Sequence, residues 1–205
     1  MNVRFSVSEI KKQGEAPEDT ETVPLVKGEK AGAQRGTAMH AFLAAAELGK
    51  LQTAEQVAGQ IGQLVQAQRL SEEDAALLQR EELLKFGQSE LCRRMQKTKE
   101  LYREQPFILS LTLQELDALC PGWLPMEAAD ENARVMIQGI IDCYFEEEEA
   151  WVLLDYKTDR SMDAERRSQY SRQLRLYQTA LERITGRPVK ERMLYWTRTG
   201  EEIHC

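Results

Sequence analysis

The sequence predicts an α/β protein, a mixed central sheet with helices packed on it and a helical portion towards the N-terminus. Three observations predict it. Residues 37–96 repeat apolar positions at three-to-four spacing behind Ser and Thr caps, the signature of consecutive amphipathic helices. Residues 134–145 and 151–157 are two runs rich in Val, Ile, Leu and aromatics, split by an acidic stretch. Residues 166–184 then read as an amphipathic helix, with a further strand-like run behind it.

Taken in order, residues 2–12 carry Ser6 and Ser8 ahead of Glu9, Ile10 and Lys11 and fit a short capped helix. Residues 14–33 hold Gly14, Pro17, Pro24, Gly28 and Gly32 among acidic and small residues; they bury too little apolar surface to order themselves, so a flexible loop is expected. Thr37 can cap the next helix and Gly49 end it, which puts His40 in its first turn. Helices follow over 53–69 and 71–86, with a short one over 88–96. Leu101, Arg103, Phe107, Leu109 and Leu111 alternate around Pro106, as two short strands or one bent edge strand, and 112–119 form a helical turn. The runs 134–145 and 151–157 make an antiparallel hairpin joined by the loop 146–150. In the long helix Leu174, Tyr177, Leu181 and Ile184 share a stripe, Gly186 stands just past the end, and a strand over 189–197 completes the order. A single domain over 1–205 is expected, long enough to close a core without disulfides.

Composition narrows the function. No apolar run reaches the roughly 18 residues of a membrane span, and no signal-peptide stretch opens the chain, so a cytoplasmic location is expected. Cysteines at 92, 120, 143 and 205 form no Cys-x-x-Cys pair, against a zinc knuckle or an iron–sulfur cluster. The absence of a Gly-x-x-x-x-Gly-Lys-[Ser/Thr] loop excludes a helicase motor within this sequence. The net charge is −7, yet residues 157–198 carry eleven basic against five acidic residues, a tract that can face phosphates.

The chemistry centres on the hairpin. In Asp155-Tyr156-Lys157 the carboxylate and the ammonium project from one face of a strand. If paired residue numbers add up to 297, Asp142 lies opposite Asp155 on that face. Two carboxylates this close repel unless a cation joins them, and oxygen ligands suit Mg2+, with Mn2+ also accepted. Alone, the tripeptide also fits a surface ion pair of Asp155 with Lys157 or Arg160.

The larger pattern is more specific. Phe5-Ser6-Val7-Ser8-Glu9-Ile10-Lys11, Arg35-Gly36-Thr37-Ala38-Met39-His40, Gln138-Gly139-Ile140-Ile141-Asp142, Leu153-Leu154-Asp155-Tyr156-Lys157-Thr158-Asp159, Gln173-Leu174-Arg175-Leu176-Tyr177 and Gly186-Arg187-Pro188-Val189 follow one another in order. Over nearly its whole length the chain resembles the C-terminal nuclease domains of the AddA subunits of AddAB helicase–nucleases, relatives of the RecB nuclease in the PD-(D/E)XK class. The resemblance implies a restriction-endonuclease-like sheet and a Mg2+-dependent deoxyribonuclease, an exonuclease in double-strand break repair. It implies that Asp142 and Asp155 hold the metal with His40 as an additional ligand, and that Lys157 is the catalytic lysine. It also sets Gln173 and Tyr177, four apart on one helix face, against the site to support the lysine or touch DNA. Arg172 and Arg175, with Arg166 and Arg167, can contact the phosphate backbone. The implied partners are single-stranded DNA, a helicase portion of the same polypeptide and an AddB-type subunit, so the chain reads as an excised domain or fragment; no membrane partner is expected. A catalytically silent DNA-binding scaffold docked to a partner protein is the competing reading, and Glu104, in Arg103-Glu104-Gln105-Pro106-Phe107, stays outside the expected catalytic set.

Overall fold

The computed structural model describes residues 3–7, 27–121, 134–159 and 163–205. Within them the chain runs β1 (Val3–Ser6), α1 (Lys27–Ala45), a 3-10 turn (Leu48–Lys50), α2 (Ala54–Gln66), α3 (Glu72–Leu77), α4 (Arg80–Gln88), α5 (Glu90–Lys97), β2 (Leu101–Thr112), α6 (Leu113–Leu119), β3 (Arg134–Glu147), β4 (Ala150–Lys157), α7 (Ala164–Thr185), β5 (Val189–Trp196) and β6 (Glu201–His204). The expected mixed sheet with flanking helices is present, and its described strands number six.

The 14-residue β3 organises the sheet. Along one edge it pairs antiparallel with β2, from Leu101↔Phe145 to Thr112↔Arg134. Its other edge is shared: β1 takes Val135 to Gln138 in parallel and β4 takes Cys143 to Glu147 antiparallel. β5 continues parallel to β4, and β6 closes the far edge against β5. Every residue of β4 is buried, because helices cover both faces. On one face Phe42, Leu43, Val57, Leu83, Phe86 and Leu91 of α1, α2, α4 and α5 pack on Val152, Leu154 and Tyr156. On the other, Leu174, Tyr177 and Leu181 of α7 and Leu116 of α6 pack on Leu153, Leu194 and Trp196.

Several expectations fail, each for a local reason. Residues 3–6 form a strand because pairing with β3 overrides a weak capping signal; the rest of that expected helix, from residue 8, lies outside the described residues. The expected loop over 14–33 falls outside them up to residue 26, but 27–33 are helical. There Gly28 and Gly32 each cost about 1 kcal/mol against alanine, a penalty that docking of Met39, Phe42 and Leu43 outweighs. Thr37 therefore caps nothing: its hydroxyl donates to the Ala33 carbonyl one turn back (3.1 Å), and His40 sits well inside α1. The helix expected over 71–86 breaks into α3 and α4, because Leu78 turns extended and is buried. Around Pro106 the second of the two expected alternatives holds: there is one continuous edge strand, its proline opposite Ile140.

In the long helix Ile184, expected on the buried stripe, is 61% exposed. β6, entered through a Gly200 turn with φ of 77°, carries no expectation at all. The hairpin loop is tighter than expected. Only Glu148 and Glu149 lie between β3 and β4, both at positive φ (57° and 64°), the twist of a two-residue primed turn that Asn-Gly would adopt at less cost.

Candidate active site

The site forms where β4 and β3 diverge. Their ladder ends at Cys143↔Leu154, and one residue further Asp142 comes opposite Asp155, the register in which paired numbers add up to 297. Beyond that point the strands part, and side chains satisfy the main chain of Tyr156. Its N–H donates to Asp142 Oδ2 (2.9 Å), and its carbonyl lies 3.2 Å from His40 Nε2.

Strand alternation inverts at the same level. Phe107, Leu109 and Leu111 of β2 and Val135, Ile137 and Ile141 of β3 face the α7 core, whereas Leu101, Cys143 and Phe145, odd-numbered too, face the opposite core. The switch falls at Glu104, a non-glycine residue with φ of 51°, a backbone cost on the order of 1 kcal/mol. Glu104 and Asp142 drop out of a β2–β3 ladder that otherwise holds its register. The turned backbone brings Glu104 Oε1 to 3.7 Å from His40 Nδ1, and Asp142 Oδ1 lies 3.4 Å from the same nitrogen.

Lys157 occupies the other half. It is 7% exposed, ion-paired with Asp155, and its Nζ donates to Gln173 Oε1 (3.1 Å) while lying 4.1 Å from the centre of the Tyr170 ring. Gln173 Nε2 in turn donates to the Tyr177 hydroxyl (2.8 Å), and Tyr177 stacks edge-on against Phe107. Burial pushes the Asp155 carboxyl above its ordinary pKa, with the Lys157 ammonium opposing and the Asp142 carboxylate adding to the rise. Burial likewise pushes the Tyr177 hydroxyl well up, aided by the charge of Asp155.

Of the residues singled out in the sequence, His40, Asp142, Asp155, Lys157, Gln173 and Tyr177 thus meet at one end of the sheet. Arg172 and Arg175 do not join them: among the described residues neither gives a hydrogen bond or ion pair to this group. Their charges act on the Cys120 thiol, whose pKa burial nonetheless raises. Glu104 is the residue that sequence reasoning left out. A left-handed glutamate in a strand has no composition signal.

The donor set fits a divalent cation. One ligand atom from each of His40, Glu104 and Asp142 lies within 4.8 Å of the others. Nε2 donates to the Tyr156 carbonyl, so Nδ1 faces the two carboxylates; in the metal-free protein it carries the proton they hold, and with that proton lost it has the orientation a metal-binding imidazole needs. Burial alone would lower the His40 pKa, but hydrogen bonds to Asp142 and Glu104 outweigh it and raise it to about 10. The group draws positive charge. Asp155 stands beside it with its carboxylate engaged by Lys157.

Comparison with known proteins agrees. The chain is 36% identical over 210 residues to an ATP-dependent helicase/nuclease subunit of Clostridium botulinum (strain 657 / Type Ba4), covering 94% of this chain and 16% of that protein. The like-named protein of Alkaliphilus oremlandii (strain OhILAs) is 36% identical over 206 residues, covering 94% of this chain and 17% of the relative. That of Clostridium novyi (strain NT) is 36% identical over 175 residues, 84% of this chain and 14% of the relative. The chain thus spans only about one sixth of the relatives it matches. The model of the PD-(D/E)XK nuclease superfamily matches residues 9–203, nearly the whole chain, and the restriction-endonuclease-like sheet is the fold that goes with it. The chain belongs to the PD-(D/E)XK nuclease superfamily.

Proposed function

We propose that this chain, acting as one nuclease unit, hydrolyses phosphodiester bonds of DNA with a divalent cation, Mg2+ by preference and Mn2+ also accepted. The observation that carries the reading is the pairing, at one strand end, of two carboxylates gathered around one imidazole with a buried lysine held at fixed geometry. His40, Asp142 and Glu104 would hold the cation, with Asp155 the adjoining carboxylate. A bound cation would supply charge that activates water and polarises the scissile phosphate. Lys157, steadied by Gln173 and by Tyr177 behind it, orients the attacking water or stabilises the negative charge that develops on the phosphate. Arg172 and Arg175 contribute charge to the strand's approach without reading bases. An imidazole ligand is softer than Mg2+ prefers, which supports good activity with Mn2+.

The relatives are named as ATP-dependent helicase/nuclease subunits, which supports a helicase portion in the same polypeptide; with the sequence resemblance, the wider setting we propose is an exonuclease on single strands, partnered by an AddB-type subunit, in double-strand break repair in the cytoplasm. Among the described residues no helix is long and apolar enough to cross a membrane. The test is digestion of linear single-stranded and duplex DNA with Mg2+, Mn2+ or EDTA, beside Asp142→Asn and Lys157→Ala. Cutting that needs metal and falls by about 1,000-fold or more in both variants is expected. DNA binding without cutting under any metal would assign the chain to a silent scaffold instead.

A further inference from the structure

α1 lies along the end of β4 with matched steps. Gly36 and His40 are one helical turn apart, about 6 Å of rise, while Tyr156 and Thr158, the residue just past β4, are two residues apart, about 6.6 Å along an extended chain. Each helix position meets one strand position. His40 Nε2 reaches the Tyr156 carbonyl at 3.2 Å, and at Gly36 an added Cβ would stand 3.1 Å from Thr158 Oγ1. The neighbouring Arg35 clamps the same contact. Its Nη1 donates to the Thr158 carbonyl (3.3 Å), and its Nη2 forms an ion pair with Glu82 of α4, both side chains largely buried (18% and 13% exposed).

We propose that Arg35 and Gly36 are positioning residues for the cation site. They set how closely α1 approaches the end of β4, and therefore where His40 Nδ1 stands relative to Asp142 and Glu104. Neither touches a carboxylate of the site, so both act through His40. The inference rests on the reading of His40 as a metal ligand. A glycine inside a helix weakens it relative to alanine, and Gly36 sits where the approach of Thr158 leaves little room for a methyl group. A role in helix stability alone would thus make Gly36→Ala neutral or favourable.

Calorimetric titration of the whole chain with Mn2+, without DNA, tests the proposal beside thermal unfolding in EDTA. Arg35→Ala should weaken Mn2+ binding about 10-fold, the lower end of what removing a group behind a ligand costs, and Gly36→Ala, which shifts rather than removes a group, about 5-fold. The melting temperature of Gly36→Ala in EDTA should hold or rise. Thr158→Ala alone should bind as the parent does, and added to Gly36→Ala it should restore affinity by removing Oγ1. In a His40→Ala background Gly36→Ala should have no further effect. Parent-like binding by both Gly36→Ala and Arg35→Ala, or an equal loss in the His40→Ala background, overturns the proposal while leaving the nuclease reading intact. Parent-like binding by His40→Ala overturns the proposal together with the reading of His40 as a metal ligand.

Discussion

The two halves of the site use the same kinds of group and reach opposite electrostatic states. Around Lys157 every charge has a partner: the ammonium faces Asp155, Gln173 and the Tyr170 ring, and all of these but the half-buried Gln173 are buried. Around His40 two carboxylates crowd one imidazole, and the side chains of His40 and Glu104 keep 29% and 36% of their exposure. One half is complete within the protein; the other is a charge deficit at the solvent edge. The difference shows where a fold holds a charged group for itself and where it holds one for something that arrives.

Charge removal should therefore differ in size between the two sides, and the largest effect is expected at Lys157. Lys157→Met leaves Asp155, 1% exposed, without its partner, and should cost about 3–5 kcal/mol in urea unfolding without metal. Asp155→Asn added to it should recover most of that loss. A cost below about 1 kcal/mol would mean that the pair is not held as described.

The next effect belongs to the open half. Mn2+ at 100 times its dissociation constant should stabilise the protein by about 2.7 kcal/mol, and Asp142→Asn should abolish most of that gain. A shift of equal size in the variant would move the cation elsewhere.

A balanced cluster away from the site offers a control. Hydrogen bonds from Arg94, and then Lys190, hold the Glu147 carboxyl down at about 2, against an ordinary 4.5. A depressed acid contributes stability that is present above 4.5 and lost as pH falls towards 2, and with Glu147 about one-third exposed the loss should be about 1–2 kcal/mol. Arg94→Ala should flatten that part of the pH–stability curve. The smallest effect is expected for Glu104→Gln, which removes one of the two carboxylates facing the His40 imidazolium and should cost the metal-free protein about 0.5 kcal/mol near neutral pH while weakening Mn2+ binding.

What the sequence makes legible follows from the range of the forces involved. Alternation and a short connection determine the register that sets Asp142 opposite Asp155, because a slip of one residue would turn Val152 and Leu154 out of their core. The i, i+4 spacing of Gln173 and Tyr177 likewise carries straight into their hydrogen bond. The start of α1 and the strand character of Val3–Ser6 are not legible, since both depend on partners more than 90 residues away. Glu104 is hidden for another reason: its direction comes from a single positive φ inside a continuous strand, which no pattern of apolar residues encodes.

The sharing of β3 between near and distant partners also orders assembly in time. The β3–β4 hairpin closes through two residues and can form within microseconds, bringing Asp142 and Asp155 together while most of the chain is still unstructured. His40 joins Tyr156 across 116 residues, a closure whose entropy must be met by the docking of α1. A refolding molecule therefore holds its paired carboxylates early and its imidazole late, and cation binding during refolding would time the arrival of α1 on the sheet.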